Sequence, residues 1–165
     1  MNIPITKGFV AVIDNADRDK VARLSWVAHA TPGKRCVYAK ARLPGQNRNI
    51  LMHRYILDAP PGVMIDHING DGLDNRRGNL RVATASQNLL NRRKYHGVSR
   101  FKGVYFMKRD GLWVAQLAIN GKSKNLGRFL TEEDAARVYD SHARRWYGDF
   151  ALLNFSNKEN HARRR

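Results

Sequence analysis

The sequence predicts an α+β chain of two small units, each an antiparallel strand arrangement closed by one helix. Two observations carry this. Residues 64–95 read as strand, irregular loop, strand, helix, and residues 99–147 read as three strands joined by tight turns and followed by an amphipathic helix. A third observation, thirty Lys+Arg against 14 Asp+Glu for a net charge of +16, says what such units would meet: a dense polyanion.

The elements follow from the residues in order. "GFVAVID" is a short apolar strand, and "DNADRDKVARLSW" carries Val21, Leu24 and Val27 at helical spacing after acidic residues suited to a helix start. "RCVYAKARL" alternates as a strand, "GQN" turns, and "ILMHRYIL" is a second apolar run. "PPG" interrupts regular structure before the strand "MIDHI", the loop "NGDGLDNRRGN" and the return strand "LRVAT". Thr84 and Gln87 then form a T-x-x-Q capping box that opens a helix over "ASQNLLNRRKY". "NRRKYHGVSR" reads as a basic linker. Beyond it, "KGVYF", "LWVAQLAI" and "KSKNLGRF" are strands, with Asn120-Gly121 a strong two-residue hairpin signal. Trp113, Ala115, Leu117 and Ile119 share one face of the middle strand, leaving Gln116 and Ala118 on the other. Thr131 caps a helix over "EEDAARVYDSHARRWYG" that places Ala135, Tyr139, His142 or Ala143, and Trp146 on one stripe. The tail "NKENHARRR" is polar and expected to be disordered.

With 165 residues and 42% hydrophobic content the chain can build a core. No apolar run reaches membrane-spanning length, and the N-terminal stretch lacks the basic-then-apolar signature of a signal peptide. The single cysteine, Cys36, allows no internal disulfide and no cysteine-based zinc site, which favours a reducing cytoplasm.

Chemistry concentrates in "MIDHINGDGLDNRRGNLRVAT", Met64 to Thr84. A chain that only gripped a polyanion would have little use for Asp66 beside His67. If the following helix packs across the hairpin, Asn88 on its first turn can face Asp66, giving two hard oxygen ligands for Mg²⁺ or Mn²⁺. His67, with an ordinary pKa near 6.5, can take a proton from water. The plainer reading of the pair is an Asp that orients a surface His in a turn.

The stretch His53-Arg54, Asp66-His67-Ile68-Asn69-Gly70, Asp74-Asn75-Arg76, Asn79-Leu80-Arg81 and then Asn88 resembles the HNH homing-endonuclease family in its phage-type form. The resemblance implies a ββα-metal fold. It makes Asp66 and Asn88 metal ligands, His67 the general base, and Asn79 the Asn that bonds across the loop to hold His67 and the hairpin. Asn91, one helical turn on, competes with Asn88. His53 reads as a buried His packing the hairpin. Arg76, Arg77 and Arg81 read equally as phosphate contacts or as a solvated basic face. The third block resembles the AP2 DNA-binding domain through Lys102-Gly103-Val104, Trp113-Val114-Ala115, Leu126-Gly127-x-Phe129, Glu133-x-Ala135-Ala136-x-x-Tyr139-Asp140 and Leu152-Leu153-Asn154-Phe155. That implies recognition by the sheet, with Lys102, Tyr105, Arg109, Gln116, Lys124 and Asn125 as candidates. Tyr105, Ala118 and Ser123 stand where plant-type members carry arginines, which leaves the target sequence open.

The expected organisation is a scaffold plus nuclease domain over 1–95 with its core at 52–93, a linker at 96–99, an AP2-like domain over 100–155 and a basic tail over 156–165. The expected function is metal-dependent hydrolysis of double-stranded DNA, by nicking, as a monomer on DNA, with no membrane partner. The alternative is a DNA-binding transcriptional regulator with an inactive HNH scaffold.

Overall fold

The structure is a computed structural model that describes residues 1–30, 36–90 and 98–155. The basic linker up to Gly97, the polar tail from residue 156 and Asn91 lie outside the described residues. The chain forms two compact units, Met1–Asn88 and Leu89–Arg165, of mixed α and β structure. No helix among the described residues is long and apolar enough to cross a membrane.

The first unit opens with β1 (Asn2–Pro4) paired antiparallel to β2 (Val10–Val12), then a short 3₁₀ turn and α1 (Arg18–Val21). The helix expected over residues 14–26 is therefore only a turn or so long. The indole of Trp26 donates back to the Val21 carbonyl at 2.8 Å, closing the segment on itself. A three-stranded antiparallel sheet follows, β3 (Val27–Ala30), β4 (Val37–Arg42) and β5 (Asn49–Leu51), with β4 central. β1 and β3 went unread in the sequence, since neither shows a run long enough to display a period. The apolar run "ILMHRYIL" divides into β5 and α2 (Met52–Ile56). Ala39 and Ala41 of β4 bury against Ile13, Val21, Met52 and Ile56, so β4 turns its alternate residues Tyr38, Lys40 and Arg42 to the opposite face.

The hairpin of β6 (Met64–His67) and β7 (Leu80–Ala83) pairs Asp66 with Arg81 and His67 with Leu80. Thr84 caps α3 (Ala85–Leu90) as its sequence foretells. Its hydroxyl accepts from the Gln87 backbone N–H at 3.2 Å, and the Gln87 side chain accepts from the Thr84 N–H at 2.8 Å.

In the second unit β8 (Val104–Met107), β9 (Leu112–Ile119) and β10 (Lys122–Phe129) form an antiparallel sheet in the order β10-β9-β8. Asn120 and Gly121 both hold positive φ, 51° and 77°, as a two-residue type I′ connection demands. α4 (Glu132–Tyr147) starts at Thr131, whose hydroxyl accepts from the Asp134 N–H at 3.1 Å. Ala135, Ala136, Tyr139 and Ala143 bury against Val104, Ala115 and Leu117. Trp146 departs from the expected stripe: it is 52% exposed, with the Lys124 ammonium 5.9 Å from its ring centre. At the end of a helix whose core face is built from alanines, a residue that large overhangs the sheet instead of packing beneath it.

Asp140 ties the end of the unit to the helix, its carboxylate accepting from the backbone N–H groups of Asn154 at 2.7 Å and Phe155 at 2.8 Å. Burial still pushes its pKa up. We expect Asp140→Ala to abolish hydrogen-exchange protection of the Asn154 and Phe155 amides and to destabilise this unit by about 2 kcal/mol, the range for hydrogen bonds to a charged acceptor. Unchanged protection at those two amides would remove Asp140 from this role.

Candidate active site

The loop from Ile68 to Asn79 has no strand or long helix of its own, so side chains must hold it. Asn79 does much of this: its amide N–H donates to the Asp74 carbonyl at 2.8 Å and to Asn69 Oδ1 at 3.0 Å, while its Oδ1 accepts from the Asn69 backbone N–H at 3.0 Å. The Asn79 carbonyl accepts from the Ile68 N–H at 2.9 Å, extending the hairpin ladder one step past His67. Asp71 and Asn69 cap backbone N–H groups two residues onward. The loop then docks on β2, where Val12 N–H donates to the Leu73 carbonyl at 2.8 Å and Asn75 N–H to the Val12 carbonyl at 2.7 Å. Gly72 permits a second close approach, since a Cβ there would lie 2.5 Å from the Val37 carbonyl oxygen and 2.7 Å from the Tyr38 ring.

His67 ends β6 and is 6% exposed. Its ring meets that of His53 edge-on, centroids 4.9 Å apart at 86°, and Tyr38 stands 5.8 Å from both. The two neighbours come from α2 and β4, so the N-terminal strands supply walls of this pocket. Burial lowers the pKa of His67; the Asn75 side chain and the carboxylates of Asp66, Asp71 and Asp74 pull the other way. His67 is therefore neutral at pH 7 with acidic groups around it. His53 is buried more adversely, its pKa pushed down to about 3 by burial first and by the charges of His67 and Arg54 next. Its Nδ1 makes no hydrogen bond among the described residues. Arg54, beside it, donates to the carbonyls of Ala59, Pro60 and Val63 and so shapes the Pro-rich turn before β6.

Asp66, on the opposite face of β6, is 6% exposed. Arg81 grips it across the hairpin, with Nη2 at 2.7 Å and Nε at 2.9 Å from Oδ2. Asn88 reaches the same strand face: its amide N–H donates to Met64 Sδ at 3.2 Å, two residues from Asp66. The donor set, one carboxylate and one amide oxygen, suits a hard divalent cation, and a guanidinium resting on Asp66 shows that this carboxylate accepts a cationic partner. Among the described residues no group of three or more His, Cys, Asp and Glu side chains is placed to hold a metal, so water and phosphate would have to complete the shell.

The arginines require a correction. None of Arg76, Arg77 and Arg81 belongs to an uncommitted basic face. Arg76 pairs with Asp74 through Nε at 2.8 Å and Nη2 at 2.6 Å, Arg77 with Asp17 at 2.7 Å and with the Ile56 carbonyl at 3.0 Å, and Arg81 with Asp66. The first two remain about half exposed. Counting charges along a sequence cannot reveal which arginines fold onto carboxylates.

In the second unit the register separates the candidates. Tyr105 opposite Val114 and Gln116 opposite Asn125 lie on the sheet face away from α4, joined there by Ala118, Ser123 and Arg128. The Ser123 hydroxyl donates to Gln116 Oε1 at 3.2 Å, and Asn125 Oδ1 accepts from the Gly127 N–H at the bulge. Lys124 is corrected to the other face: it sits opposite Leu117, toward α4. Lys102 precedes β8, half-buried, its backbone clamped by Asn154 at both N–H and C=O. Arg109 lies in the β8–β9 turn, paired with Asp110. Sequence reading missed Asn75, wholly buried beside His67, and Tyr38. The first stood within the Asp-Asn-Arg triplet, but its chemistry was given to Asn79. The second is too far along the chain for any local signal.

Residues 58–90 match the family model described as HNH endonuclease. The chain is 32% identical over 109 residues to an uncharacterised HNH endonuclease of Acanthamoeba polyphaga mimivirus, 62% of this chain and 56% of that protein. It is 31% identical over 93 residues to Protein 3.8 of Escherichia phage T7, 56% of this chain and 76% of that one. A shorter likeness, 40% over 58 residues, joins 35% of the chain to 13% of APETALA2-like protein 2 of Oryza sativa. Residues 58–90, which hold the hairpin and its buried Asp-His pair, are thus an HNH endonuclease domain, and over its wider length the chain belongs to the same family as the phage T7 protein. It spans little more than half the length of its mimivirus relative.

The low pKa of His53 has a consequence for stability. Between pH 6.5 and about 3 the unfolded chain takes up a proton at His53 that the folded chain refuses. Stability is thus fully present above pH 6.5 and falls as pH drops, by about 1.4 kcal/mol per unit. Urea unfolding at pH 6.5 and pH 5.0 should show the wild type losing about 2 kcal/mol more than His53→Asn over that interval. Parallel losses in the two proteins would contradict it.

Proposed function

We propose that this protein is a metal-dependent DNA endonuclease in which His67 activates water and Asp66 with Asn88 holds the metal, targeted to double-stranded DNA by the sheet of its second unit. The observation that carries the reading is His67 itself: a buried imidazole, kept neutral by its surroundings, at the end of a strand whose preceding residue is a buried carboxylate. A neutral imidazole is the form that accepts a proton. His53 and Tyr38 fix its ring, and Asn75 and the braced loop exclude bulk water from its sides.

His67 takes a proton from water as the oxygen attacks phosphorus; the P–O bond to the leaving sugar oxygen breaks, that oxygen takes up a proton from solvent, and His67 returns its own to solvent. A divalent cation such as Mg²⁺ or Mn²⁺, when bound, stabilises the charge that develops on the phosphate and leaving oxygens. One such site among the described residues favours cutting one strand at a time by a monomer.

The resemblance of the second unit to AP2 domains, the likeness to the rice protein over 58 residues, and an exposed face bearing Tyr105, Gln116, Asn125 and Arg128 support sheet-borne DNA recognition. Two residues on this face, Gln116 and Asn125, offer amides of the kind that read adenine. A regulator with an inactive HNH scaffold is the competing reading, and the Arg81 guanidinium on Asp66 is what favours it. Against it stands the cost of burying His67, Asn75 and Asp66 in a protein that needs only to bind.

Supercoiled-plasmid nicking decides between them. Wild type with Mg²⁺ should relax the plasmid, EDTA should stop it, and His67→Ala should reduce the rate by about 10² or more with binding nearly unchanged, the range for a lost general base. A His67→Ala protein that nicks at the wild-type rate removes His67 from the chemistry.

Targeting has its own test. Gln116→Ala with Asn125→Ala should erode the preference between sequences while leaving the salt dependence intact, since neither side chain carries charge. Arg128→Ala should flatten the slope of log K against log salt by about 0.9 and affect all sequences alike. Competition binding at several salt concentrations measures both, and a specificity unmoved by the double substitution sinks the sheet as the reader.

A further inference from the structure

Arg81 and Asp66 are the cross-strand pair of the nuclease hairpin. Two guanidinium contacts fall on Oδ2, at 2.7 and 2.9 Å. The carboxylate is 6% exposed and the arginine side chain 14%. The other two loop arginines differ. Arg76 and Arg77 are about half exposed and serve carboxylates that brace the loop and the N-terminal block. Of these three, Arg81 alone rests on the carboxylate that the proposed chemistry needs.

We propose that Arg81 is a cation placeholder at Asp66, which yields the carboxylate to a divalent metal ion when a DNA phosphate draws the guanidinium away. The inference rests on the reading above that Asp66 is a metal ligand. Charge supplies the first reason. In a site this enclosed, a second cation approaching Asp66 is repelled by the guanidinium with little screening. The second reason is the shape of the donor. A guanidinium fork matches a phosphate as well as it matches a carboxylate, so DNA offers Arg81 an equivalent partner. The third is linkage. If phosphate and metal both gain from the same movement of one side chain, each strengthens the binding of the other. Metal-free protein then keeps a neutralised, unreactive site, and the metal assembles where there is DNA to cut. Arg81, which in sequence reads equally as a phosphate contact or as part of a solvated face, would become a phosphate contact only in that exchanged state.

A rival arrangement makes the opposite prediction. If the metal used the other carboxylate oxygen while Arg81 stayed on Oδ2, Arg81 would orient the ligand, and losing it would weaken metal binding by about 10- to 100-fold, as such supporting partners do.

The test is a titration of the full chain with Mn²⁺, read by electron paramagnetic resonance, without DNA and without turnover. Wild type should bind Mn²⁺ weakly and Arg81→Gln about tenfold more tightly, within the usual range of coupling between two partners for one site. A short duplex should tighten Mn²⁺ binding much more for wild type than for Arg81→Gln. Equal or weaker Mn²⁺ binding by Arg81→Gln overturns the proposal. An independent readout uses wild type alone: on saturation with Mg²⁺ and duplex, the ¹⁵N signal of Arg81 Nε–H should move from its carboxylate-bound position. A stationary signal overturns the proposal whether or not the variant folds. Asp66→Asn separates this from the metal assignment. Mn²⁺ binding that survives Asp66→Asn unchanged defeats the ligand reading itself, whereas binding lost in Asp66→Asn but not improved in Arg81→Gln defeats only the placeholder.

Discussion

The nuclease unit depends on a rigid connection that has almost no regular structure. His67 ends one strand and Leu80 begins the next, and the residues between them must hold the imbedded Asn75 still. The chain solves this by docking the loop on β2 through two backbone hydrogen bonds, from Val12 to Leu73 and from Asn75 to Val12. Asn79 closes the loop from the other side. These are local, directional bonds, each worth about 1 kcal/mol net, but each far more costly to leave unmade once buried. The N-terminal block is therefore part of the site. Without β2 the Asn75 N–H has no acceptor, and without β4 and α2 the His67 ring has no walls.

The same arrangement explains how the charge is spent. Of the chain's strongly positive residues, three arginines near the hairpin are matched to Asp74, Asp17 and Asp66. Acidic residues are few, and here they are used where a cation would otherwise be buried or would unsettle a loop. Arg77 shows the pattern most fully: its backbone N–H donates to Asp14, its guanidinium to Asp17 and to the Ile56 carbonyl, tying three separate segments to the loop. A residue that reads in sequence as a phosphate contact or a solvated surface charge also serves as a structural cross-link in space.

Much of the second unit was legible because its signals are local. The strands over 112–119 and 122–129, the Asn-Gly turn and the Thr131 cap all follow from period and turn chemistry within a few residues. Even there, adjacency misled. Lys124 and Asn125 cannot both face outward on one strand, and the register puts only Asn125 there. In the first unit the motif located the hairpin, and the Thr84–Gln87 box located its helix. The contacts that define the site's chemistry stayed hidden: Tyr38 to His67, Arg81 to Asp66, β2 to Asn75. The first and last span windows no local pattern covers, and the Asp66–Arg81 pair, though inside one motif, depends on a strand register the motif does not print.

The Asp66–Arg81 pair shows why stability alone does not account for this site. A buried ion pair gains little over an apolar pair of similar volume, because desolvating both charges offsets their attraction. A hairpin selected for stability would be served as well by two branched aliphatic side chains at these facing positions. The chain instead sets a carboxylate and a guanidinium there, with a histidine held neutral on the next residue. The desolvation of each group is the cost that the proposed function would justify, by bringing a charged ligand to use it. The neighbouring strand faces make the same point by contrast, for Ile65 and Leu80 of the hairpin are buried and apolar, as ordinary packing requires. Among the described residues, polar burial in this unit falls on the His53–His67 pocket, on Asp66, and on Asp17, Asp74 and Asn75, which brace the loop beside them.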